Sequence, residues 1–426
     1  MKWKDWNQNL KIRLYGEGVI NILFSMYFPF MAIYFAEYFG KGKAGLLLVL
    51  SQFIALLANL FGGYCADRFG RKKMMVFSYI GTSVAYFLFA MANSPWYESP
   101  ELTFISFSLV GVWNALYWPA SHAMVADVVP EKDRSSVFAV FYMVLNISVV
   151  IGPILGGVFF FHYRFGLLVI ALLISVIFTI MLQLFVQETV PTFINDNVKE
   201  QREWYVFLVE QVKNYRIIAT DKIFLMFILG GILLSQTFLQ MNLLLSVYIS
   251  DNVPLQTIFS FRGWSFDVYG EKAFSLILAE NGLMVTLFTV LATRIFSHFN
   301  EWKLFLTSSI LYGIAIILFS STLNFWALFL IMLIFTTAEL MVVGVQESYV
   351  AKLAPKHMRG QYYAAASLRY TVGRTIAPLA IPMTIWIGVT QTFYVVGILA
   401  FFSAGLFYIM GRLEGRKSNL KIKEYI

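Results

Sequence analysis

Three carboxyls stand in stretches that otherwise hold almost no charge. Glu339 ends a run of fourteen uncharged residues in FWALFLIMLIFTTAE, Glu280 with Asn281 interrupts FSLILAENGLMV, and Glu17 follows Arg13 by four residues in RLYGEGVINILF. An ionised side chain deep in hydrocarbon costs at least about 2.5 kcal/mol, so each acid invites a use. Loading and releasing a proton is the chemistry that a carboxyl shuttled between water and an apolar interior performs best, and these three are the candidates for it. Each also has a structural reading. Arg374, at similar depth in the next apolar run, offers Glu339 a static ion pair. Glu280, about 11 Å along its run, fits a hydrogen-bonded carboxyl near an interface. Glu17 shares a helix face with Arg13 close to a helix start, where a carboxylate is favoured. Arg369 lies about 12 Å from the nearer end of its run and could snorkel to it.

A second cluster sits between two uncharged runs. GGYCADRFGRKKMM (62–75) holds Asp67, Arg68, Arg71, Lys72 and Lys73 within seven residues, flanked by Gly63 and Gly70. Gly63 would let its helix approach a neighbour closely. Gly70, with no Cβ, permits a tight turn. Asp67 could pair with a basic residue or a helix N-terminus on a facing bundle. The three basic residues after Gly70 also suit an anchor at a membrane surface.

The elements that must position these groups follow from composition. The 426 residues are 59% hydrophobic and 13% charged, with mean hydropathy +0.70, against about 25% charge in a soluble protein. Twelve apolar stretches are long enough to cross about 30 Å of hydrocarbon: 14–39, 43–66, 74–92, 102–127, 135–160, 165–187, 223–249, 273–293, 304–321, 325–351, 362–386 and 391–411. The first is too long for a signal-peptide core and is read as a retained span. Of the 32 basic residues, 25 fall in the N-terminus and every second loop. By the positive-inside rule both termini are cytoplasmic, and the +8 net charge is topology rather than a nucleic-acid surface. One cysteine, Cys65, excludes an internal disulfide.

The chain also repeats itself. VADVVPEKDR (125–134) returns as VAKLAPKHMR (350–359), an offset of 225 that also carries Pro153 onto Pro378. A gapless offset across two helices indicates duplication. Six spans followed by six in the same orientation predict an all-α membrane protein of two six-helix bundles, 1–187 and 223–426, related by an axis along the membrane normal with a cavity between them. The charged segment 188–222 reads as a cytoplasmic linker with an amphipathic helix presenting Trp204, Phe207, Leu208 and Val212.

Gly63, Asp67, Arg68, Gly70, Arg71, Lys72 and Lys73 together resemble the G-x-x-x-D-R-x-G-R-K/R-K/R loop of the major facilitator superfamily, which joins spans two and three on the cytoplasmic side. Ser148-Val-Val-Ile-Gly152-Pro153-Ile-Leu-Gly156-Gly157 resembles the span-five pattern of the drug/proton antiporter group. The likeness extends over essentially the whole chain and is strongest to LmrP-type multidrug exporters of Gram-positive bacteria, through residues 32–51, 265–274 and 338–346. It implies that residues 63–71 gate the cytoplasmic side, with Asp127 at the end of span four serving the same lock; Glu347 could join that gate from span ten. It further implies that Glu339 matches a span-ten acid used in proton coupling and cation binding. The sequence departs from those relatives where they carry acids in spans five and seven: here stand Phe141 and either Gln240 or Met241.

Candidate substrate contacts are Asn114, Tyr117, Trp118, Tyr142, Asn146, Gln240, Asn242 and Asn281, polar and aromatic groups suited to amphipathic molecules. No phosphate-binding loop, metal-spaced Cys/His cluster or catalytic triad is present in the sequence, so neither an enzyme, a cofactor nor a resident metal is expected. The expected function is export of lipophilic, often cationic compounds in exchange for protons, by a monomer in the plasma membrane. A carrier or facilitator of one small solute, or a lipid or glycolipid flippase of the same fold, are the alternatives.

Overall fold

The computed structural model describes residues 3–189, 220–296, 298–343, 345–354, 362 and 365–424. The side chains of Asp67 and Glu347, both expected in the gate, and most of the expected linker (190–219) lie outside the described residues.

The structure is built of helices. In chain order they are α1 Gln8–Phe69, α2 Arg71–Met91, α3 Pro100–Val128, α4 Glu131–Phe185, α5 Lys222–Leu239, α6 Leu244–Asn252, α7 Gly270–Phe296, α8 Glu301–Phe319, α9 Phe325–Val343, α10 Gln346–Leu353, α11 Leu368–Ile376, α12 Ala380–Trp386 and α13 Val389–Glu424. Two antiparallel hairpins, β1–β2 (Asn93–Ser94, Tyr97–Glu98) and β3–β4 (Gln256–Phe261, Trp264–Val268), connect α2 to α3 and α6 to α7.

Local chemistry sets the boundaries. The Asn7 side chain accepts the Asn9 N–H and starts α1. Ser99 accepts the Leu102 N–H, with Pro100 in the first turn of α3, where its missing N–H is no loss. Asp221 accepts the N–H groups of Ile223 and Phe224 and caps α5. Helix α1 is broken at Gly40 and α4 at Tyr163, so each contains two helical arms. Eight stretches among the described residues are long and apolar enough to cross a membrane, and the two broken ones, of 59 and 46 residues, each exceed twice the roughly 20 residues one crossing needs.

The chain divides into two compact units, Met1–Tyr38 with Leu47–Phe207, and Phe39–Leu46 with Leu208–Ile426. In the first, α2 packs against α3 and α4 around Tyr79, whose ring meets Tyr117 and Phe178 edge-on at 4.8 and 4.7 Å. Gly152 and Gly156 of the span-five pattern bring α4 onto α1. A Cβ at Gly156 would lie 2.2 Å from the Met26 carbonyl oxygen, so no larger residue fits this crossing. Pro153 lies between them without ending the helix. In the second unit, α5 and α8 pack against α13, and α7 against α9.

Candidate functional site

The acid expected at mid-membrane, Glu339, is held from a neighbouring helix. Asn281 on α7 donates through Nδ2 to Glu339 Oε2 at 2.9 Å and to Thr336 Oγ1 at 3.0 Å, and Thr336 returns its own proton to the Met332 carbonyl. Thr336 and Glu339 are three residues apart on α9 and therefore share a face, which Asn281 bridges. Next to Asn281 in sequence, Glu280 is 7% exposed, and neither carboxyl oxygen has a hydrogen-bond partner among the described residues. Two acids, an amide and a hydroxyl thus come from two helices packed against each other.

The static ion pair considered for Glu339 is absent: among the described residues nothing pairs it with Arg374, which lies exposed in the last turn of α11. Arg369 does not snorkel. It is 3% exposed, donates from Nε to the Ala366 carbonyl at 2.9 Å and from Nη1 to Gln346 Oε1 at 3.2 Å, and lies 4.2 Å over the Phe227 ring. A carbonyl, an amide oxygen and an aromatic face replace the water it would otherwise seek.

Glu17 belongs to a closed network in the first unit. Its Oε1 takes Arg13 Nε at 3.0 Å, Arg13 Nη2 at 2.9 Å and Ser121 Oγ at 2.9 Å, together with the Tyr117 hydroxyl. Arg13 also donates to Ser121 and lies 5.1 Å from the Phe141 ring centroid. Phe141, noted for lacking an acid, thus covers a cation. Tyr117 is buried in this network and does not line an open cavity. Asn114 and Trp118 are half-buried on the same helix, and Tyr142 is exposed with its carbonyl taken by Asn146 Nδ2. In the second unit Gln240 is fully buried and Asn242 half-buried.

The charged loop forms a second arrangement. Gly70 has φ +104°, which a side chain rarely tolerates, and this turn separates α1 from α2. The N–H groups of Arg71 and Lys72 at the start of α2 are taken by the Glu188 carboxylate at 3.0 and 3.2 Å. Arg71 donates to the Ala66 carbonyl at 2.8 Å and approaches Asp127 Oδ2 at 3.3 Å, and Thr189 Oγ1 donates to the same Asp127 oxygen at 3.1 Å. Arg71 and Asp127 therefore meet, whereas Arg68 is exposed and turns back onto Tyr64 of its own helix. Among the described residues Gly63 meets nothing at its Cβ position; the close approach falls one residue earlier, at Gly62, where a Cβ would lie 3.1 Å from the Leu116 Cα. Glu188, grouped by sequence with the linker, is the residue that reading missed. The available signal was an acid following span six that could satisfy the bare N-terminus of span three.

The sequence matches the Major Facilitator Superfamily over residues 16–378. The chain belongs to that superfamily. This superfamily member is a multi-pass membrane transporter and not an enzyme. It is 51% identical over 420 residues to a protein of Planococcus maritimus named a Na(+), Li(+), K(+)/H(+) antiporter, covering 98% of this chain and 99% of that one. It is 32% identical over 136 residues to the multidrug resistance protein MdtH of Shigella flexneri serotype 5b, a match that covers 32% of this chain and 33% of the relative. Its fold matches the crystal structure of a POT family transporter in complex with 5-aminolevulinic acid, with TM-score 0.77, 17% identity, and coverage of 96% and 97% of the two chains.

Proposed function

We propose that this transporter exchanges monovalent metal cations for protons across the membrane, by alternating access, and that Glu339 is the group over which the two ions compete. The observation that carries this reading is the cluster of Asn281, Thr336 and Glu339 beside the carboxyl of Glu280, which has no hydrogen-bond partner among the described residues. A carboxylate held in place by the Asn281 NH2, with a hydroxyl alongside, offers hard oxygen ligands for Na+, Li+ or K+, and one carboxylate cannot hold a proton and a metal ion together. Arrival of one ion then expels the other, which is the coupling an antiporter needs. The 51% identical antiporter supports the choice of cations as substrate. Both termini face the cytoplasm in this reading, and the Arg71–Asp127–Glu188 arrangement belongs to the cytoplasmic gate.

Export of lipophilic compounds is the second reading, favoured by the partial similarity to MdtH and by the span-five pattern at Gly152–Gly157. One experiment separates the two. Inverted membrane vesicles carrying an acid-inside gradient and a pH-sensitive dye receive NaCl, LiCl, KCl or choline chloride. Cation exchange predicts proton release with the three metal salts and none with choline, and loss of that release in Glu339→Gln. Silence with all four salts, together with gradient-driven accumulation of a lipophilic cationic dye, would transfer the function to the second reading.

A further inference from the structure

Two helices of the second unit are interrupted inside the bundle, and the interruptions touch. Helix α5 gives way to a 3-10 turn at Gln240–Asn242, after which Leu243 (φ −121°, ψ −84°) leaves helical geometry before α6. Helix α11 gives way to a 3-10 turn at Ala377–Leu379 before α12. Gly373, one turn before that break, lets α11 close on α5: a Cβ there would lie 2.7 Å from the Ser235 Cβ and 3.0 Å from the Ile232 oxygen. The first interruption is a helix C-terminus, where carbonyl groups carry partial negative charge; at the second the flanking backbone keeps right-handed helical angles and the Ala377 carbonyl takes the Ala380 N–H. Gln240, one of the two residues read as standing where the relatives carry a span-seven acid, joins the two interruptions.

The polar atoms at this junction are unbalanced. Gln240 is fully buried. Its Nε2 donates to Gln236 O at 3.1 Å, Gln236 Oε1 at 3.2 Å and Ala377 O at 3.1 Å. The Gln236 carbonyl is available because the Gln240 N–H turns to Thr237 instead, and Gln236 Oε1 faces Gln240 because its own Nε2 is engaged by Thr237 Oγ1 at 3.1 Å. Gln240 Oε1 has no hydrogen-bond partner among the described residues. One NH2 group with two protons thus serves three oxygens, while a fourth oxygen is orphaned in the interior.

We propose that this junction is a binding site for a single dehydrated monovalent metal cation, liganded by Gln240 Oε1, Gln236 O, Gln236 Oε1 and Ala377 O. As the helices stand, the Gln240 NH2 donates to the three oxygens that a cation would draw around itself. Rotation of the amide by half a turn exchanges its nitrogen and oxygen and presents four oxygens to the ion, an arrangement that only a positive charge makes favourable. Neutral carbonyl and amide oxygens at interrupted helices suit Na+ or K+. They do not supply the carboxylates a divalent ion requires, and the positive Arg374 three residues before Ala377 opposes a second charge. The site rests on the cation/proton reading and adds a place where the metal ion is held apart from Glu339.

Thermal unfolding of the purified protein in lipid nanodiscs tests the site, titrated with NaCl, KCl and LiCl against choline chloride at equal ionic strength. A saturable rise in Tm with at least one metal salt is expected. Gln240→Ala should weaken the half-saturating concentration by about tenfold or more, as expected for loss of a buried ligand to a charge. Gln240→Glu, equal in size, should tighten it, with the gain lost on acidification. If Gln240→Ala does not fold, the Glu variant carries the test alone. Unchanged half-saturation in the variants overturns the site. If vesicles of the same variants still exchange cations for protons with unchanged cation dependence, the site fails and the antiporter reading stands. If wild-type protein responds to no metal salt and releases no protons, both fail.

Discussion

At the scale of single residues, the buried acids separate by their partners. Glu17 is tied to Arg13, Tyr117 and Ser121, so its removal should act on stability. Glu17→Gln leaves the Arg13 guanidinium buried beside a neutral group, a change that typically costs about 3–5 kcal/mol. Thermal unfolding should show a large loss for Glu17→Gln and substantial recovery when Arg13→Met is added. A stable Glu17→Gln protein without proton coupling would return Glu17 to the proton path. Asn281 presents the opposite case. Its hydrogen bond to Glu339 orients a carboxylate rather than neutralising a charge. A hydrogen bond to a charged group is worth roughly 1.5–3 kcal/mol, so Asn281→Ala should raise the cation concentration for half-maximal exchange by about tenfold or more while the protein stays folded. The check is the concentration dependence of cation-driven proton release, read beside the unfolding temperature.

At the scale of elements, the join between α1 and α2 depends on one backbone angle and one carboxylate. Gly70→Ala forces a side chain into φ +104° and places its Cβ 2.4 Å from Glu188 Oε2, so a loss of about 1–3 kcal/mol is expected from the backbone alone. Glu188→Ala keeps the turn but leaves two N–H groups of α2 uncapped, an effect of about 0.5–2 kcal/mol. Denaturation of the two variants should rank them in that order, and equal effects would mean that the turn has no strain of its own. The spacing of the loop motif made the turn legible, because glycine, acid and base stand in a fixed order. The cap was not legible: Glu188 is 118 residues from Gly70, and nothing in local composition shows which helix end an acid will meet.

At the scale of the whole molecule, the two compact units have separate cores. Co-expressed halves, divided within the charged segment between residues 190 and 219, are therefore expected to reassemble and recover part of the exchange activity, measured by cation-driven proton release in vesicles. Failure of either half to accumulate in the membrane would show that the cores depend on each other.

The sequence by itself determined the class of molecule. Apolar runs of membrane length require membrane-spanning helices, because lipid accepts only backbones that satisfy their own hydrogen bonds; the 225-residue internal repeat points to two like bundles, and the two spaced motifs resemble those of this superfamily. It also marked the acids, since each stands out against an uncharged run. Only the tertiary structure decided what those acids touch. Glu339 and Arg374 are 35 residues apart and look paired along the chain, yet Asn281, 58 residues away, holds the carboxylate. Arg369 looked able to reach an interface, but a carbonyl and a ring were nearer. Gln240, which with Met241 stood as the candidate for the position of a missing acid, lies where two helices are interrupted. Partners of a buried polar group are chosen by which helix faces pack together, and that choice belongs to the assembled bundle, where desolvation makes every unsatisfied group find whatever is within reach.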